Sequence, residues 1–566
     1  MLEDFDGLVE AAMAEWQVPG LALAVIKDQE TILMKGYGVR DVESRLPVTP
    51  NTQFLLCSIT KSFTAAGLGL LVDEDKLDWT RPVREYLPEF RLYDAVATER
   101  VTVRDLLCHH SGLPRHDWIH SPGDLSTAQL LAALRHLEPS HDLRDTYQYQ
   151  NLAYVVAGHI AERITGKCWS AFLTERLLQP LGFQNFSLSI EALSETIDHA
   201  HPHIEELDQI QRASLTPIRA LPAGGLNAAV SDVAKWMRFL MNDGAVNGKQ
   251  LLSTDIVRQM STPRVHAGRS AFGEIGEIHY GLGLSIEHYR GEQKVSHSGS
   301  WVGWGTLMTM LPERSIAVAV LTNHAPSAVT ELLTYSALDR LCGREPIDWL
   351  GHFGEMRRKI VSQRSIDSTA RCNSHRTETK PSHALHEYAG SYEHPAYGCM
   401  IITHEGDTLL WQWRGMSGPL QHRHYDVFMT ARKPAEIHPD ELPLTFGYNR
   451  EGVIDKVAAP MEPMVADIVF SRVPSGDVMD VQFRAHCAGT YSHGSQEIQV
   501  RLDAAGSLTL QIAKQQIHRL IPLDGRTFEL GKLQGYRVEF RRPSEDLVDG
   551  IIFHQPNGTF LARRGA

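Results

Sequence analysis

The chain has 566 residues, of which 43% are hydrophobic and 22% are charged, and its formal net charge is −13. This composition is typical of a globular protein with a large core, and the length predicts several domains. The acidic balance argues against a partner that binds through a phosphate backbone, and no apolar run approaches the roughly 18 residues that span a bilayer. We therefore expect neither a nucleic-acid partner nor a membrane partner.

The first residues are acidic and amphipathic, and they lack the basic and apolar regions of a signal peptide. The seven cysteines are scattered and odd in number, which fits reduced thiols better than a disulfide framework. Both features predict a cytoplasmic protein, while the removal of a leader and the formation of a homo-oligomer are left open.

Residues 1–350 alternate strand-like and helix-like runs. The stretch "LALAVIKDQETILMKGYGV" predicts a hairpin, and apolar spacing predicts helices in "SITKSFTAAGLGLLVDED", "NLAYVVAGHIAERITG" and "SDVAKWMRFLMNDG". Two further strands are predicted in "TLMTMLPERSIAVAVLTN". Helices gathered between N-terminal and C-terminal strands indicate an α+β domain with an antiparallel sheet.

Residues 351–383 begin helical and then become polar and loop-like, and we interpret them as a linker. The rest of the chain repeats itself. The stretch "YAGSYEHPAYGCMIITHEGDTLLWQW" resembles "CAGTYSHGSQEIQVRLDAAGSLTLQI", and the two copies end on "VFSRV" and "FLARR". Short alternating strands in two similar units predict two small antiparallel β-barrels of lipocalin-like type, over residues 384–474 and 477–566.

The stretch "LLCSITKSFT" places Ser58 three residues before Lys61 at the start of a predicted helix. Residues i and i+3 share one face of a helix, so the two side chains can meet. At the helix N-terminus the dipole and desolvation both disfavour a protonated lysine, which would let Lys61 act as a base toward the Ser58 hydroxyl. Taken alone, a chance spacing of two surface residues is an equally good interpretation.

In "YQYQN", Tyr149 and Asn151 lie two residues apart and face the same side of an extended segment. A cationic Lys61 nearby would lower the pKa of Tyr149 and make it a proton shuttle, and Asn151 would bind Lys61 or a substrate amide. For an isolated Tyr-x-Asn, a packed tyrosine and a capping asparagine are the more common interpretation.

In "KVSHSGSWVGWG", His297 and Gly299 open a predicted edge strand, and Ser300 and Trp301 follow. Gly299 would let a substrate backbone approach, and the N–H of Ser300 would give an oxyanion donor beside that of Ser58. Trp301 and Trp304 either wall an apolar pocket or pack under it, and the wall is favoured because they flank the strand that a substrate should line. The alternative is a turn rich in serine and glycine with a bystander histidine.

The order Ser-x-x-Lys, Tyr-x-Asn, His-x-Gly resembles the serine beta-lactamase and penicillin-binding-protein superfamily. The stretches "VPGLALAV", "VTVRDLLCHHSGLP", "LLQPLGFQN", "LPAGGLNAAVSDVAKW" and "YGLGL" agree with this resemblance, which covers most of the first 340 residues and is strongest for the class C beta-lactamase-like branch. One catalytic domain followed by two barrels is the layout of D-aminopeptidases in that branch, and it also resembles enzymes that cut linearised microcystin.

The resemblance implies that Ser58 is the acylated nucleophile, that Lys61 and Tyr149 share the acid and base work, and that His297 lies at the rim of the site. Two departures from the family pattern stand out. His297 replaces a common lysine, which makes capture of a substrate carboxylate less expected. Gln150 replaces a small residue, which puts the pose of Tyr149 in question.

Three histidines in "HAHPH", at positions 199, 201 and 203, alternate as metal ligands on a strand would, but neither an HExxH motif nor paired cysteines support a metal site, so a polar loop is favoured. Arg115, His116 and Trp118 follow "HSGLP" in a loop near the cleft, where a specificity role and a solvated loop are equally open.

These observations predict a serine hydrolase that forms an acyl-enzyme on a peptide or small amide, of aminopeptidase or amidase type, without a metal or an organic cofactor. A carboxylesterase is the enzymatic alternative. A non-catalytic penicillin-binding-like protein is the alternative of another class, and the intact Ser58, Lys61 and Tyr149 argue against it.

Overall fold

The computed structural model describes residues 2–565 except 122–123, 207–208, 374–377, 432–440, 505, 514, 532, 534–535 and 545–546. An antiparallel sheet with surrounding helices forms the N-terminal domain, and two closed eight-stranded barrels follow it. The predicted α+β class with two C-terminal barrels is thereby confirmed.

The N-terminal domain and the segment after it contain helices α1 (Phe5–Trp16), α2 (Thr60–Asp73), α3 (Val83–Tyr86), α4 (Ala95–Arg100), α5 (Val103–Leu107), α6 (Thr127–Ala133), α7 (Asn151–Thr165), α8 (Trp169–Leu173), α9 (Ile190–Ser194), α10 (Leu221–Gly224), α11 (Val230–Met241), α12 (Thr254–Met260), α13 (Val329–Leu341) and α14 (Trp349–Asn373). Short turns of 3-10 helix cover Cys57–Ile59, Asp117–Ile119, Leu134–His136 and Pro312–Arg314, and a π-helical turn covers Thr174–Leu178.

The strands of this domain are β1 (Gly20–Lys27), β2 (Glu30–Gly38), β3 (Gln53–Leu55), β4 (Phe186–Ser187), β5 (His203–Glu206), β6 (Gln209–Arg212), β7 (Asn227–Ala229), β8 (Ala245–Val246), β9 (Lys249–Gln250), β10 (Val265–Arg269), β11 (Glu277–Tyr280), β12 (Ser285–Tyr289), β13 (Glu292–Trp301), β14 (Trp304–Leu311) and β15 (Ile316–Thr322). The main sheet has eight strands in the order β10-β11-β12-β13-β14-β15-β1-β2, and β3, β7 and β4 form a small separate sheet.

The main sheet lies between two layers of helices, as strand β15 illustrates. Its residues Ala317, Ala319 and Leu321 face the core that contains α2 and α11, whereas Ile316, Val318 and Val320 face the core that contains α1 and α13. Successive side chains of a strand point to opposite faces, so a strand buried on both faces is apolar throughout. This explains why "SIAVAVLT" reads as one continuous apolar run.

Barrel 1 consists of β16 (Gly390–His394), β17 (Gly398–Glu405), β18 (Thr408–Trp413), β19 (Met416–His424), β20 (Val427–Thr430), β21 (Pro443–Tyr448), β22 (Ile454–Ala459) and β23 (Ile468–Val473), after helix α15 (Leu385–Tyr388). Barrel 2 consists of β24 (Gly489–His493), β25 (Gln496–Leu502), β26 (Leu508–Ile512), β27 (Ile517–Asp524), β28 (Thr527–Leu530), β29 (Arg537–Arg541), β30 (Gly550–Gln555) and β31 (Gly558–Arg564), after α16 (Val481–Cys487) and a 3-10 turn, Asp477–Met479.

The sequence repeat corresponds to one hydrogen bond that helps to close both barrels. Arg472, near the end of barrel 1, donates to the carbonyl oxygen of Ala389 at 2.6 Å. Arg564, near the end of barrel 2, donates to the carbonyl oxygen of Ala488 at the same distance. Each arginine therefore connects the last strand of its barrel to the residue before the first strand. This contact explains why Ala-Gly and the terminal arginine recur in the sequence.

The segment predicted as a linker, residues 351–383, is largely helical, because α14 extends over Trp349–Asn373. Trp349 and Phe353 at its start are buried against α1 and α13, which anchors the helix to the N-terminal domain. The domain boundaries drawn from the sequence remain predictions. Of the helices in the described part of the chain, none combines the length and apolar character that crossing a bilayer requires.

Candidate active site

Ser58 lies where a strand passes into a helix. Strand β3 ends at Leu55, a 3-10 turn covers Cys57–Ile59, and α2 begins at Thr60. Cys57 has a φ of 50°, a left-handed conformation that is uncommon for a residue with a side chain and persists where surrounding structure enforces it. The turn therefore presents Ser58, half-buried, at the N-terminal end of α2, where backbone N–H groups lack partners within the helix.

Lys61 is the second residue of α2 and is fully buried. Its Nζ lies 3.2 Å from Ser58 Oγ, 2.7 Å from Asn151 Oδ1 and 2.9 Å from the carbonyl oxygen of Ala223. Burial lowers the pKa of Lys61 well below its usual value, and the nearby Arg115 charge lowers it further. A neutral amine has two N–H donors and one lone pair, which suits two carbonyl-type acceptors and one hydroxyl. This geometry allows Lys61 to accept the Ser58 proton.

Tyr149 lies against both residues, as the sequence predicts. The Nζ of Lys61 is 4.7 Å from the centre of its ring, and the Ser58 side chain is near enough to affect the pKa of its phenol. The prediction that a cationic lysine lowers the pKa of this phenol is wrong. Burial raises the pKa of Tyr149 above its usual value, and this effect exceeds the opposing effect of Ser58. Tyr149 is therefore a protonated phenol at neutral pH.

Gln150, the departure from the motif, serves as the N-cap of α7. Its side-chain oxygen accepts from the N–H of Leu152 at 2.8 Å, and its own backbone N–H donates to Nδ1 of His109 at 3.0 Å. The ring of His109 in turn lies against that of Tyr149, with centroids 4.3 Å apart. The larger residue at position 150 thus holds the segment in place and leaves Tyr149 facing Ser58.

Asp117 belongs to the same site, although no sequence motif marks it. Its Oδ1 accepts from Asn151 Nδ2 at 3.2 Å and from His120 Nε2 at 3.0 Å, and its Oδ2 accepts from Arg115 Nε at 2.5 Å. Burial alone would raise its pKa, but the hydrogen bonds from His120 and Arg115 hold the pKa of Asp117 below its usual range. The only sequence signal was its place in the polar loop after "HSGLP".

Arg115 is the polar side chain of this loop that reaches solvent beside Tyr149. Its guanidinium carbon lies 5.1 Å from the centre of the Tyr149 ring, within the range of a cation–π contact. Its side chain is 54% exposed. Arg115 therefore lies at the candidate site, and a role in substrate specificity stays a prediction for this loop.

Barrel 1 holds this loop from the other side. The backbone N–H of His116 donates to Oε2 of the buried Glu462 at 2.6 Å, and Nδ1 of His116 lies 2.8 Å from the hydroxyl of Tyr397. Arg414 donates to the carbonyl oxygens of Trp118 at 3.1 Å and of Ile119 at 2.7 Å. These contacts fix the backbone on both sides of Asp117, so the position of that carboxylate depends on a domain that lies far along the chain.

The third motif lies next to Ser58 because Gly299 leaves room for it. A Cβ added at Gly299 would fall 2.4 Å from the carbonyl oxygen of Leu56 and 2.7 Å from Cβ of Cys57. The glycine therefore allows β13 to pack closely against the turn that carries Ser58, and the approach of a substrate at this position stays a prediction. The next residue, Ser300, is exposed.

The predicted edge strand is an edge only in part. Strand β13 lies between β12 and β14, but its described pairing with β12 ends at Ser296. Residues 297–301 continue past that point while they pair with β14 on their other side. This stretch offers backbone groups to an extended ligand, which is how sheet edges bind peptides.

His297 is buried rather than placed at an open rim, with 4% of its surface exposed. Its Nε2 lies 2.8 Å from the hydroxyl of Tyr280, and its Nδ1 lies 2.6 Å from the carbonyl oxygen of Ser298, so Nδ1 carries the proton and donates. Burial and the nearby Lys61 lower the pKa of His297 to about 3. The imidazole is therefore neutral, as the sequence predicts, and it supplies no cation to the cleft.

The two tryptophans after the third motif differ in burial. Trp301 is half-buried, which fits its predicted place at a pocket wall. Trp304 is 1% exposed and packs edge-on against Phe54 with ring centroids 6.2 Å apart. The prediction that Trp304 walls the pocket is wrong, because its position in β14 points it into the core.

No group of three metal-ligating side chains occurs among the residues that the structure describes. In the "HAHPH" stretch, His199 Nδ1 lies 2.6 Å from the carbonyl oxygen of Thr196, and His203 Nδ1 lies 3.1 Å from the carbonyl oxygen of Asn323. His201 lies 3.1 Å from Arg212. The three histidines therefore bond to different parts of the backbone and to a cation, and His203 is buried at the start of β5 rather than in a polar loop.

Comparison with known proteins agrees with this geometry. The family model described as Beta-lactamase matches residues 5–340, more than half of the chain. The chain belongs to the beta-lactamase family. A second family model, the domain of unknown function DUF3471, matches residues 374–484, a range that contains the strands of barrel 1. The resemblance inferred from the three motifs is thereby confirmed.

Relatives in this family include proteins named as hydrolases. Unguisins hydrolase ungD' of Aspergillus campestris is 28% identical over 504 residues, which cover 82% of this chain and 90% of that protein. Protein flp of Staphylococcus aureus is 21% identical over 337 residues, which cover 59% of this chain and 65% of that protein. The chain is accordingly a member of a hydrolase family with the beta-lactamase fold.

Two solved structures share the fold. The octameric penicillin-binding protein homologue from Pyrococcus abyssi superposes with a TM-score of 0.55 at 22% identity, covering 91% of this chain and 99% of that one. SurE, solved with D-Leu, gives a TM-score of 0.50 at 19% identity and covers 83% of this chain and 99% of that one. At these identities the likeness concerns the fold alone.

Proposed function

We propose that the protein is a serine hydrolase that cleaves peptide or small amide bonds through an acyl-enzyme on Ser58. One observation carries the proposal: Lys61 is buried, its pKa is lowered, and its Nζ lies 3.2 Å from Ser58 Oγ. A neutral amine at hydrogen-bonding distance from a serine hydroxyl is the arrangement that nucleophilic catalysis requires. The other side chains are assigned roles around that pair.

In the acylation step, Ser58 Oγ forms a bond to the amide carbonyl carbon while its proton passes to Lys61. The N–H groups of Ser58 and Ser300 are assigned to stabilise the negative charge that develops on the carbonyl oxygen, and the close packing of Gly299 against Leu56 and Cys57 supports this assignment. Preorganised donors of this kind lower the barrier because they need no reorientation when the charge appears.

Departure of the amine requires a proton on its nitrogen. Tyr149 is a protonated phenol beside Ser58 and Lys61, so it is assigned as the donor to the leaving amine, and the ammonium of Lys61 returns a proton to it. The carbon–nitrogen bond breaks and leaves the acyl group on Ser58. Water then attacks the ester, gives its proton to Lys61, and Ser58 recovers a proton as it leaves.

An amide substrate is favoured over an ester because the site contains a proton donor for a basic leaving group, whereas an alkoxide leaves with less assistance. The names of the relatives support hydrolysis as the class of reaction, and the choice of an amide rests on the proton donor alone. A carboxylesterase remains the alternative that uses the same residues.

The test is covalent labelling followed by a substrate panel. Wild-type protein and Ser58→Ala are incubated with a fluorophosphonate and with a fluorescent penicillin, and the adduct is located by mass spectrometry of peptides. We expect an adduct on Ser58 in the wild type and none in the variant. L- and D-amino-acid p-nitroanilides, linear peptides, p-nitrophenyl esters and nitrocefin then separate amidase from esterase and lactamase. A wild type that no acylating probe labels at Ser58 would support a binding protein instead.

A further inference from the structure

The loop between α5 and α6 places one cation at the mouth of the candidate active site. The guanidinium of Arg115 lies over the ring of Tyr149, 5.1 Å from its centre, and the side chain is 54% exposed. Its Nε donates to Oδ2 of Asp117 at 2.5 Å, which orients the guanidinium plane. Because Asp117 is itself held by His120 and Asn151, Arg115 is an oriented group rather than a freely rotating surface side chain.

Arg115 and Asp117 differ in the hydrogen bonds that each can still form with a ligand. Within the described residues, the carboxylate of Asp117 accepts from three donors, whereas Arg115 uses only its Nε and keeps both terminal NH₂ groups for a ligand. A planar guanidinium with free terminal donors suits a carboxylate, which it binds through two parallel hydrogen bonds. The hydrogen-bond donors that remain at this edge of the cleft therefore suit an anion and not an ammonium group.

The position of Arg115 also indicates which part of the substrate it meets. Tyr149 is the proposed proton donor to the leaving amine, and Arg115 lies on the ring of that tyrosine. An α-carboxylate lies two bonds beyond the nitrogen of an amino acid, so a leaving amino acid brings its carboxylate to this side of the site. The third motif provides no competing cation, because His297 is buried and neutral.

We propose that Arg115 binds a free carboxylate carried by the leaving amine, so that the preferred substrates are short peptides cleaved next to a C-terminal residue. This inference rests on the proposed acyl-enzyme function and names its substrate class. It reverses the expectation, drawn from the missing lysine of the third motif, that the site does not capture a carboxylate, because a cation from a different loop takes that place.

The first test uses protection of Ser58 and does not depend on turnover. Labelling of Ser58 by a neutral fluorophosphonate is timed in the presence of alanine or of alaninamide, each in L and D form, which differ only in the carboxylate. In the wild type we expect alanine to slow labelling and alaninamide to have a much smaller effect. In Arg115→Gln the difference between the two should disappear, and in Arg115→Lys it should be reduced but present.

The second test is the ratio of kcat/KM for Ala-Ala and for its C-terminal amide, in the L,L and D,D forms. The wild type should prefer the free acid on the order of ten- to a hundred-fold, as expected for hydrogen bonds to a charged group, and Arg115→Gln should bring the ratio close to one. Each protein serves as its own reference, so a general loss of activity leaves the ratio unaffected. Arg501→Gln removes the same charge from an exposed strand position in barrel 2 and should keep the wild-type ratio.

The outcomes separate this inference from the function on which it rests. A wild type that shows neither differential protection nor a preference for the acid overturns the role of Arg115, as does a preference that survives in Arg115→Gln. If Ser58 of the wild type is not labelled at all, it is the acyl-enzyme proposal that fails, and the inference falls with it. If Ser58 is labelled and the carboxylate preference is absent, only the inference fails.

Discussion

The Nζ atom of Lys61 lies 2.9 Å from the carbonyl oxygen of Ala223. This carbonyl and the Asn151 side chain each accept a hydrogen from the amine, so the two N–H bonds of a neutral lysine point away from Ser58. The lone pair is then left for the serine hydroxyl. Lys61 can therefore act as a base toward Ser58, and replacing its amine tests this role.

Replacing Lys61 by arginine should abolish most of the acylation of Ser58. A guanidinium keeps its proton in proteins and so has no lone pair to offer, although its size and charge resemble those of lysine. We expect the second-order rate constant for fluorophosphonate labelling to fall about 10²- to 10⁴-fold, the usual contribution of a general base. Lys235→Arg, at a partly exposed position on α11, is the matched control, and equal rates in Lys61→Arg and wild type would rule out the assignment.

The pH dependence of acylation should follow the lowered pKa of Lys61. Labelling of Ser58 should rise with pH as the amine loses its proton and reach a plateau well below the usual lysine value of 10.5. Because burial raises the pKa of Tyr149, the plateau should not decline near the ordinary tyrosine value of 10.0. The measurement is the labelling rate across the pH range with a probe that does not itself titrate. A rate that still climbs at the ordinary lysine pKa would mean that the folded protein does not neutralise Lys61.

The same shift predicts a change in the pH dependence of stability. Between the lowered folded pKa of Lys61 and its unfolded value, the unfolded chain holds one more proton than the folded chain, so the free energy of unfolding rises with pH by at most about 1.4 kcal/mol per unit. Lys61→Met lacks this group. The free energy of unfolding of the wild type minus that of Lys61→Met should therefore increase as the pH rises toward the ordinary lysine value of 10.5 in denaturant titrations. A constant difference would contradict the lowered pKa.

The parts of the site that local spacing governs could be predicted from the sequence. Ser58 and Lys61 meet because they are three residues apart across the 3-10 turn and the start of α2, and Asn151 joins them because it begins α7. The direction of the Tyr149 shift could not be predicted in this way. It depends on how deeply the fold buries the ring, and that follows from the packing of His109 against it rather than from any neighbour in sequence.

Asp117 illustrates what spacing cannot reveal. Its loop has neither helical nor strand periodicity, and it is fixed through a hydrogen bond between His116 and Glu462, 346 residues apart. The two barrels could be recognised from their internal repeat, but their contact with this loop could not. The sequence predicts a helical start for residues 351–383, but not that the helix extends to Asn373, because a polar helix and a polar linker have similar composition.

Replacing Gly299 by alanine should impair acylation by moving the strand that carries Ser300. The added methyl would lie 2.4 Å from the carbonyl oxygen of Leu56, which is backbone and cannot rotate away. Loss of one oxyanion donor costs about 10²- to 10³-fold in rate, and we expect a loss of that order in the labelling of Ser58. Gly273→Ala is the control, because no atom lies within 4 Å of its added methyl. If Ser58 of Gly299→Ala is labelled at the wild-type rate, β13 does not contribute to the oxyanion site.

Replacing Glu462 by glutamine tests whether barrel 1 positions the loop that carries Arg115 and Asp117. The Oε2 atom of the buried Glu462 accepts from the N–H of His116 at 2.6 Å, and an amide that turns its NH₂ toward this donor breaks the bond. A hydrogen bond to a charged group contributes about 1.5–3 kcal/mol, so we expect a loss of stability of this order.

The activity of Glu462→Gln distinguishes positioning of the site from stability of the barrel. If the loop shifts, the labelling of Ser58 should slow about ten-fold under conditions in which the variant is folded, as circular dichroism confirms, because Asp117 no longer orients Asn151 and Arg115. Glu405→Gln, at an exposed position of β17, changes the same charge and should leave the rate unchanged. A folded Glu462→Gln that labels at the wild-type rate would limit barrel 1 to a structural role, because the loop would then hold its shape without the contact.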